Sequence, residues 1–261
     1  MSFPVATEEL AVLELRQYTL HPGRRDDLIA LFEREFVEAQ EDAGIAVVGT
    51  FRDLDAPDRF VWLRAFADMP ARADGLGAFY GGPAWKRHRD EANATMVDSD
   101  DVLLLRPLVC DQGLRAALQP RPPASAAPPA GGVLPAGDPP PAGGVFTITI
   151  CPLRVPVDDA LVHAFDQCIH PWWVGVGGDL LACWVTEHSP NNFPRLPIRE
   201  GESVIAWLTR FDDEAAQQRH AALLAASGCL ARPEWRDLLS GEATQLRLAP
   251  TPRSALRRRQ P

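Results

Sequence analysis

The chain opens on a strict alternation. Residues 13–20, LELRQYTL, set Leu13, Leu15, Gln17 and Thr19 against Glu14, Arg16, Tyr18 and Leu20, the period of a β-strand. The period then changes. In RRDDLIALFEREFVEAQ (24–40), Leu28, Leu31, Phe32, Glu35 and Phe36 fall at helical spacing. Strands follow at 46–54 and 59–67, then a helical stretch through 70–94 and a last strand at 101–108. A second block repeats the order. Its strand 145–153 leads to a helix opened by Asp158, with Leu161, Phe165 and Cys168 on one stripe. Strands at 180–188 and 202–211, a helix over 212–226 and a strand at 244–250 complete it. Both blocks read β-α-β-β-α-β, the ferredoxin-like order, so the fold class is α+β.

The blocks also share residues at matching places. Trp62 and Phe66 correspond to Trp207 and Phe211, and Pro83 with Trp85 to Pro233 with Trp235. The same order of both pairs points to a diverged tandem repeat. Between the blocks, PRPPASAAPPAGGVLPAGDPPPAGG (120–144) is dominated by proline, alanine and glycine. Proline has no amide donor and glycine weakens regular elements, so a flexible linker is expected. The domain reading is a first domain at 10–110, a linker at 111–144, a second domain at 145–250 and a basic tail at 251–261, a frayed solvated end. A four-stranded ferredoxin-like sheet has helices on one face only, and the other must find cover. Two sheets on one chain are expected to cover each other as an intramolecular α+β barrel.

ELRQYTLHPGRRDDLIALFE, VVGTFRDL, VWLRAFADMPAR, GGPAWKRHRDEAN and the closing LLLRPL resemble the NIPSNAP family over about residues 12–108. The most specific parts are the opening Leu15, Arg16, Tyr18, Leu20, Pro22 and Gly23, the tryptophan of the third strand, and Pro83 with Trp85. The second block is similar to a degenerate member: VFTITICPL lacks the Arg and Tyr, and SPNNFPRLPIREGE (189–202) is a long insertion. The resemblance implies ferredoxin-like domains that pair as an α+β barrel. It implies no particular chemistry; the wider barrel group includes cofactor-free monooxygenases, cyclases, isomerases and haem enzymes, and fold does not fix function.

Composition narrows the field. A net charge of −9 opposes a polyanionic partner, so no nucleic acid is expected. The five cysteines lack CxxC spacing, which fits buried thiols in a reducing compartment and gives no metal site. No apolar run approaches the roughly 20 residues of a membrane span, and MSFPVATEEL carries no signal-peptide pattern. A cytoplasmic protein without cofactor or membrane contact is expected, with further homo-oligomerisation left open.

The candidate chemistry is Glu14, Arg16 and Tyr18. If the helix-covered face is apolar at its centre, Leu13 and Leu15 point there and the trio faces the barrel interior. Arg52, Trp62 and Arg64 are expected beside it, with Arg106 at the margin. Two readings stand: a bidentate structural ion pair, or a cavity where arginine binds an anionic or carbonyl ligand while Glu14 or Tyr18 handles a proton. The second block offers Thr147, Thr149 and Cys151 instead, so one polar pocket is expected in the chain. Trp172 and Trp173, before the glycine-rich GVGG, either pack the barrel mouth or line a site for a flat apolar ligand. Glu187 and His188 are adjacent on a strand and point apart, His88 lies on a charged helix, and His163 and His170 lack a carboxylate at ligand spacing. Two functional classes follow. One is a small-molecule binder with isomerase, cyclase or monooxygenase chemistry in the barrel. The other is a non-catalytic scaffold; a polar void marks the first and a filled interior the second.

Overall fold

The computed structural model describes residues 10–108, 112–126, 144–170 and 178–258. In the first half β1 (Val12–Leu20) leads to α1 (Arg25–Leu31), a π-helical turn (Phe32–Phe36) and α2 (Val37–Asp42). Then come β2 (Ala46–Asp53), β3 (Arg59–Phe66), α3 (Met69–Gly81), α4 (Pro83–Asn93) and β4 (Met96–Pro107). The stretch expected as one helix over 70–94 is two, because Gly82 is extended at φ −80° and Pro83 starts a new helix as its first residue. α5 (Gln112–Ala117) precedes the second half, which holds β5 (Val145–Pro152), α6 (Asp159–Ala164) and a π-helical turn (Phe165–Ile169). β6 (Asp179–Thr186), β7 (Val204–Phe211), α7 (Glu214–Ser227), α8 (Pro233–Arg236) and β8 (Thr244–Pro250) complete it. Asp68 and Asp213 cap α3 and α7 alike, each accepting a bond from the amide three residues on.

The eight strands close into one barrel in the order β1-β3-β2-β8-β5-β7-β6-β4. Each half contributes the same sub-order, β4-β1-β3-β2 and β8-β5-β7-β6. The halves join twice, through β2 and β8 (Arg52 opposite Ala249) and through β4 and β6 (Arg106 opposite Val185). No strand of the barrel is left with an unpaired edge. Leu13, Leu15, Val61 and Leu63 of the first half meet Phe146, Ile148, Leu208 and Leu246 of the second in one apolar cluster. Phe51 and Phe146 touch across it at 5.4 Å.

Leu13 and Leu15 therefore point into the barrel, and Glu14, Arg16 and Tyr18 point the other way, beneath the helices. The expectation that the trio faces the interior is overturned. Alternation separates two faces without saying which is inner. The barrel interior is filled by apolar side chains of both halves, which offer a charge no partner. The helix side brings Gln40 from α2 and Arg72 from α3 to the trio. Charges follow their partners.

The linker and tail are also corrected in part. Residues 112–126, within the segment expected to be flexible, run against the barrel. Leu114 is fully buried in the interior cluster, and Arg121 donates to Glu41 Oε1 at 3.0 Å and to the Val47 carbonyl. Residues 127–143 lie outside the described residues. In the tail, Thr251, Arg253, Ser254, Ala255 and Leu256 are buried instead of frayed. The two segments meet: Leu118 bridges to Leu256, and Gln119 N–H donates to the Ala255 carbonyl at 2.9 Å. Each follows the fourth strand of its half, and together they plug one end of the barrel with Leu114 and Leu256. Among the described residues no helix is long and apolar enough to cross a membrane.

Candidate functional site

Antiparallel pairing of β1 with β3 sets Glu14 opposite Arg64, Arg16 opposite Trp62 and Tyr18 opposite Phe60. Glu14 gathers three guanidiniums. Its Oε2 accepts from Arg16 Nη1 at 2.6 Å and from Arg64 Nε at 2.8 Å, with Arg64 Nη2 a further ion-pair contact at 2.7 Å. Its Oε1 accepts from Arg72 Nε at 2.7 Å. Arg16 Nε donates to the Tyr18 hydroxyl at 3.0 Å, and Arg64 Nη1 to Gln40 Oε1 at 3.3 Å. Glu14, Arg16, Arg64 and Arg72 are each no more than 1% exposed, so bulk water screens nothing here.

Aromatic rings wall the cluster. The Arg16 and Arg64 guanidiniums lie 5.6 and 5.1 Å from the Trp62 ring. Tyr18 meets Trp62 edge-on at 5.8 Å, and Phe32 closes behind it at 4.8 Å. The roof comes from the other half. The insertion 189–202 crosses as a strap, with Arg199 N–H donating to the Val102 carbonyl of β4 at 2.8 Å. It seats Phe193 6.1 Å from Tyr80 and turns two amide oxygens onto Arg72. Arg72 Nη1 donates to Asn192 Oδ1 at 2.6 Å and to Asn191 Oδ1 at 3.1 Å. Arg72 Nη2 and Trp62 Nε1 are buried without a hydrogen-bond partner among the described residues.

Burial alone would raise the Glu14 carboxyl, but the guanidiniums of Arg64, Arg16 and Arg72 hold it well below the usual carboxylate range. Burial pushes the Tyr18 phenol up, against the pull of Arg16. A carboxylate so held, with both oxygens engaged, is a poor proton acceptor near neutral pH, and a phenol so raised is a poor donor. The arrangement suits the binding of a negative group better than proton transfer.

The sequence-derived residues divide. Glu14, Arg16, Tyr18, Trp62 and Arg64 come together. Arg52 lies in the Tyr18–Phe60 row on β2, where its Nε donates to Asp26 Oδ1 at 2.8 Å, and it stays outside the Glu14 cluster. Arg106 is exposed. Trp172 and Trp173 lie outside the described residues. In the second half Thr147 pairs with Thr209 and Thr149 with Trp207, so hydroxyls stand on those strands. Arg72 was missed, although a signal existed: Arg72, Gly75, Leu76, Phe79 and Tyr80 form the buried stripe of α3, and an arginine on such a stripe needs a partner. The strap asparagines had no local signal.

Glu33 was missed as well. It is fully buried in the first π-helical turn, and its Oε1 accepts from Thr251 Oγ1 at 2.5 Å and from Arg253 N–H at 2.8 Å. Burial pushes its carboxyl up, opposed by the Thr251 and Arg253 bonds. The π turn shifts the helical phase, so spacing counted as a regular helix misplaces it.

Residues 13–110 match the NIPSNAP family. No curated protein matches the chain in sequence. Among solved structures, a candidate monooxygenase from Fusobacterium nucleatum subsp. nucleatum is 8% identical, with 94% of each chain covered and a TM-score of 0.56. An anthrone oxidase-like protein is 13% identical, covering 95% of this chain and 94% of its own at a TM-score of 0.54. Both share the fold over nearly the whole length. An uncharacterized NIPSNAP-like domain protein from Burkholderia xenovorans is 23% identical and covers 39% of this chain and 88% of its own, with a TM-score of 0.36.

Proposed function

We propose that this chain, with its NIPSNAP match over residues 13–110, is a pair of ferredoxin-like repeats folded into one barrel, whose first repeat binds a small organic anion beneath its helices. Arg16, Arg64 and Arg72 are the anion-binding groups, Glu14 is their internal counter-charge, and Trp62 with Tyr18 supplies an aromatic wall. The ligand reading drawn from sequence is kept but moved, because the barrel interior is apolar and the charges lie outside it.

One observation carries the reading: among the described residues, three fully buried guanidiniums face a single carboxylate, and Arg72 Nη2 has no hydrogen-bond partner. A buried charge without a counter-charge costs several kcal/mol, so a surplus of positive charge in a sealed site calls for a negative guest. The Asn191 and Asn192 amide oxygens hold part of that place on Arg72 with partial charge only. A carboxylate would bring a full charge and a planar pair of oxygens that match a guanidinium edge. Entry requires the strap 189–202 to lift.

The second reading, a scaffold without ligand, draws support from the filled apolar barrel interior and from the burial of every member of the cluster. Calorimetry separates the two. Benzoate is expected to bind and benzamide, its neutral counterpart of the same shape, is not. Arg72→Gln should weaken benzoate by about tenfold or more, the equivalent of a lost charge-assisted hydrogen bond of about 1.5–3 kcal/mol. Equal binding of benzoate and benzamide, or binding of neither, would leave the scaffold reading standing.

A further inference from the structure

The two repeats, taken as such, allow one position to be compared with its counterpart. The third strands align Trp62 with Trp207 and Phe66 with Phe211, so Ala65 corresponds to Arg210. Ala46 pairs with Ala65 in the first half, and Asp179 with Arg210 in the second. Both strand pairs carry an irregularity just after this row, between Val47 and Gly49 and between Leu180 and Ala182. The places are equivalent in register, and their contents differ. Ala46 and Ala65 are buried among the apolar residues of the barrel core, which the tail reaches through Leu256. In the second half the plug is α5, and beside it lies a cleft of about 370 Å³.

This volume lies at the lower end of the ~300–1,000 Å³ typical of small-molecule pockets. Leu180 and Leu181 with the alanines of α5 form its apolar side. Gly113 allows the helix to lie this close, since a Cβ there would meet the Leu181 carbonyl at 2.8 Å. Arg210, Asp179 and Gln119 form the polar side. Arg210 is only 7% exposed, yet it stands where the other repeat has alanine. Its Nη2 donates to Asp179 Oδ2 at 2.9 Å, while the one contact of Nη1 among the described residues is a long 3.5 Å to the Arg257 carbonyl. Asp179, at 45% exposed, is a counter-ion that can swing away.

We infer that this cleft is a binding site for a small amphipathic carboxylic acid. Its carboxylate takes the Arg210 guanidinium in exchange for Asp179, and its hydrocarbon part lies on Leu180 and Leu181. The guanidinium keeps a single carboxylate partner in the exchange, while Asp179 turns to solvent. A dianionic phosphate would add repulsion from Asp179 and is disfavoured. Apart from the repeat alignment, the inference does not depend on anion binding under the helices of the first half.

The test is calorimetric titration of the full chain with sodium octanoate, with octanamide as the neutral control. It is run on the unaltered protein and in the Arg72→Gln background, where the proposed first-half site is disabled. Octanoate is expected to bind in both, and octanamide in neither. Asp179→Asn removes the competing carboxylate and should tighten octanoate several-fold, a gain that misfolding cannot imitate. Arg210→Met should weaken it at least tenfold, and Ala116→Trp should block it by filling the cleft. No binding by the unaltered protein and by Asp179→Asn, or full binding by Arg210→Met, would overturn the inference. Octanoate binding that vanishes with Arg72→Gln alone would assign it to the first half and overturn it too.

Discussion

Glu14→Gln is expected to lower the unfolding free energy by about 3–5 kcal/mol, the usual cost of removing one partner from a buried ion pair. The change is nearly isosteric, so packing is preserved and the loss is electrostatic. Three guanidiniums that share one carboxylate would keep only neutral amide and hydroxyl oxygens around them. For a chain of this length the melting temperature should fall by about 10 °C. The pH dependence gives a second signature. The folded state holds the Glu14 carboxyl well below its ordinary value of 4.5, so its contribution is complete above that pH and is lost as the pH falls through the lower folded value. The gap between the two proteins should be widest above about pH 5 and narrow as the solution becomes strongly acidic. A loss below about 1 kcal/mol, as for an exposed pair, would mean that the arginines do not rely on Glu14.

The second large effect is expected far from that cluster. Leu256 is fully buried in the barrel's apolar core, although it lies in a basic tail whose sequence reads as a frayed end. Leu256→Ala should cost about 2–5 kcal/mol, the range for emptying a packed leucine site. A frayed tail predicts less than about 0.5 kcal/mol. Denaturant unfolding decides between them, and an unchanged midpoint would remove the tail from the plug.

Legibility in the sequence varied with the kind of information. Local period gave the order of strands and helices, since alternation and helical spacing are local properties. The matched tryptophans were informative because they recur at the same register: Trp62 faces Arg16, and Trp207 faces Thr149. The residues Glu14, Arg16, Tyr18, Trp62 and Arg64 were found because a strand that repeats charge on one face needs an explanation. Their location was misjudged, because deciding which face is inner depends on partners distant in sequence. Arg72 arrives from α3 and Asn192 from the other half, 58 and 120 positions from the residues they bond. The plug was hidden for a compositional reason. Proline and arginine suggest solvent, and a few leucines between them are enough to anchor a segment once a barrel end needs closing.

Whether the surplus positive charge under the helices of the first half takes an organic anion is decided by a crystal structure with 4-bromobenzoate. The bromine's anomalous signal reports position independently of any assumption about the site. One ordered bromine is expected between α3 and the β1–β3 face, with the carboxylate on Arg72 and the ring against Trp62 or Tyr80, and the strap 189–202 displaced. An unoccupied cluster with Asn191 and Asn192 still on Arg72, at ligand concentrations that saturate the calorimetric signal, would contradict it.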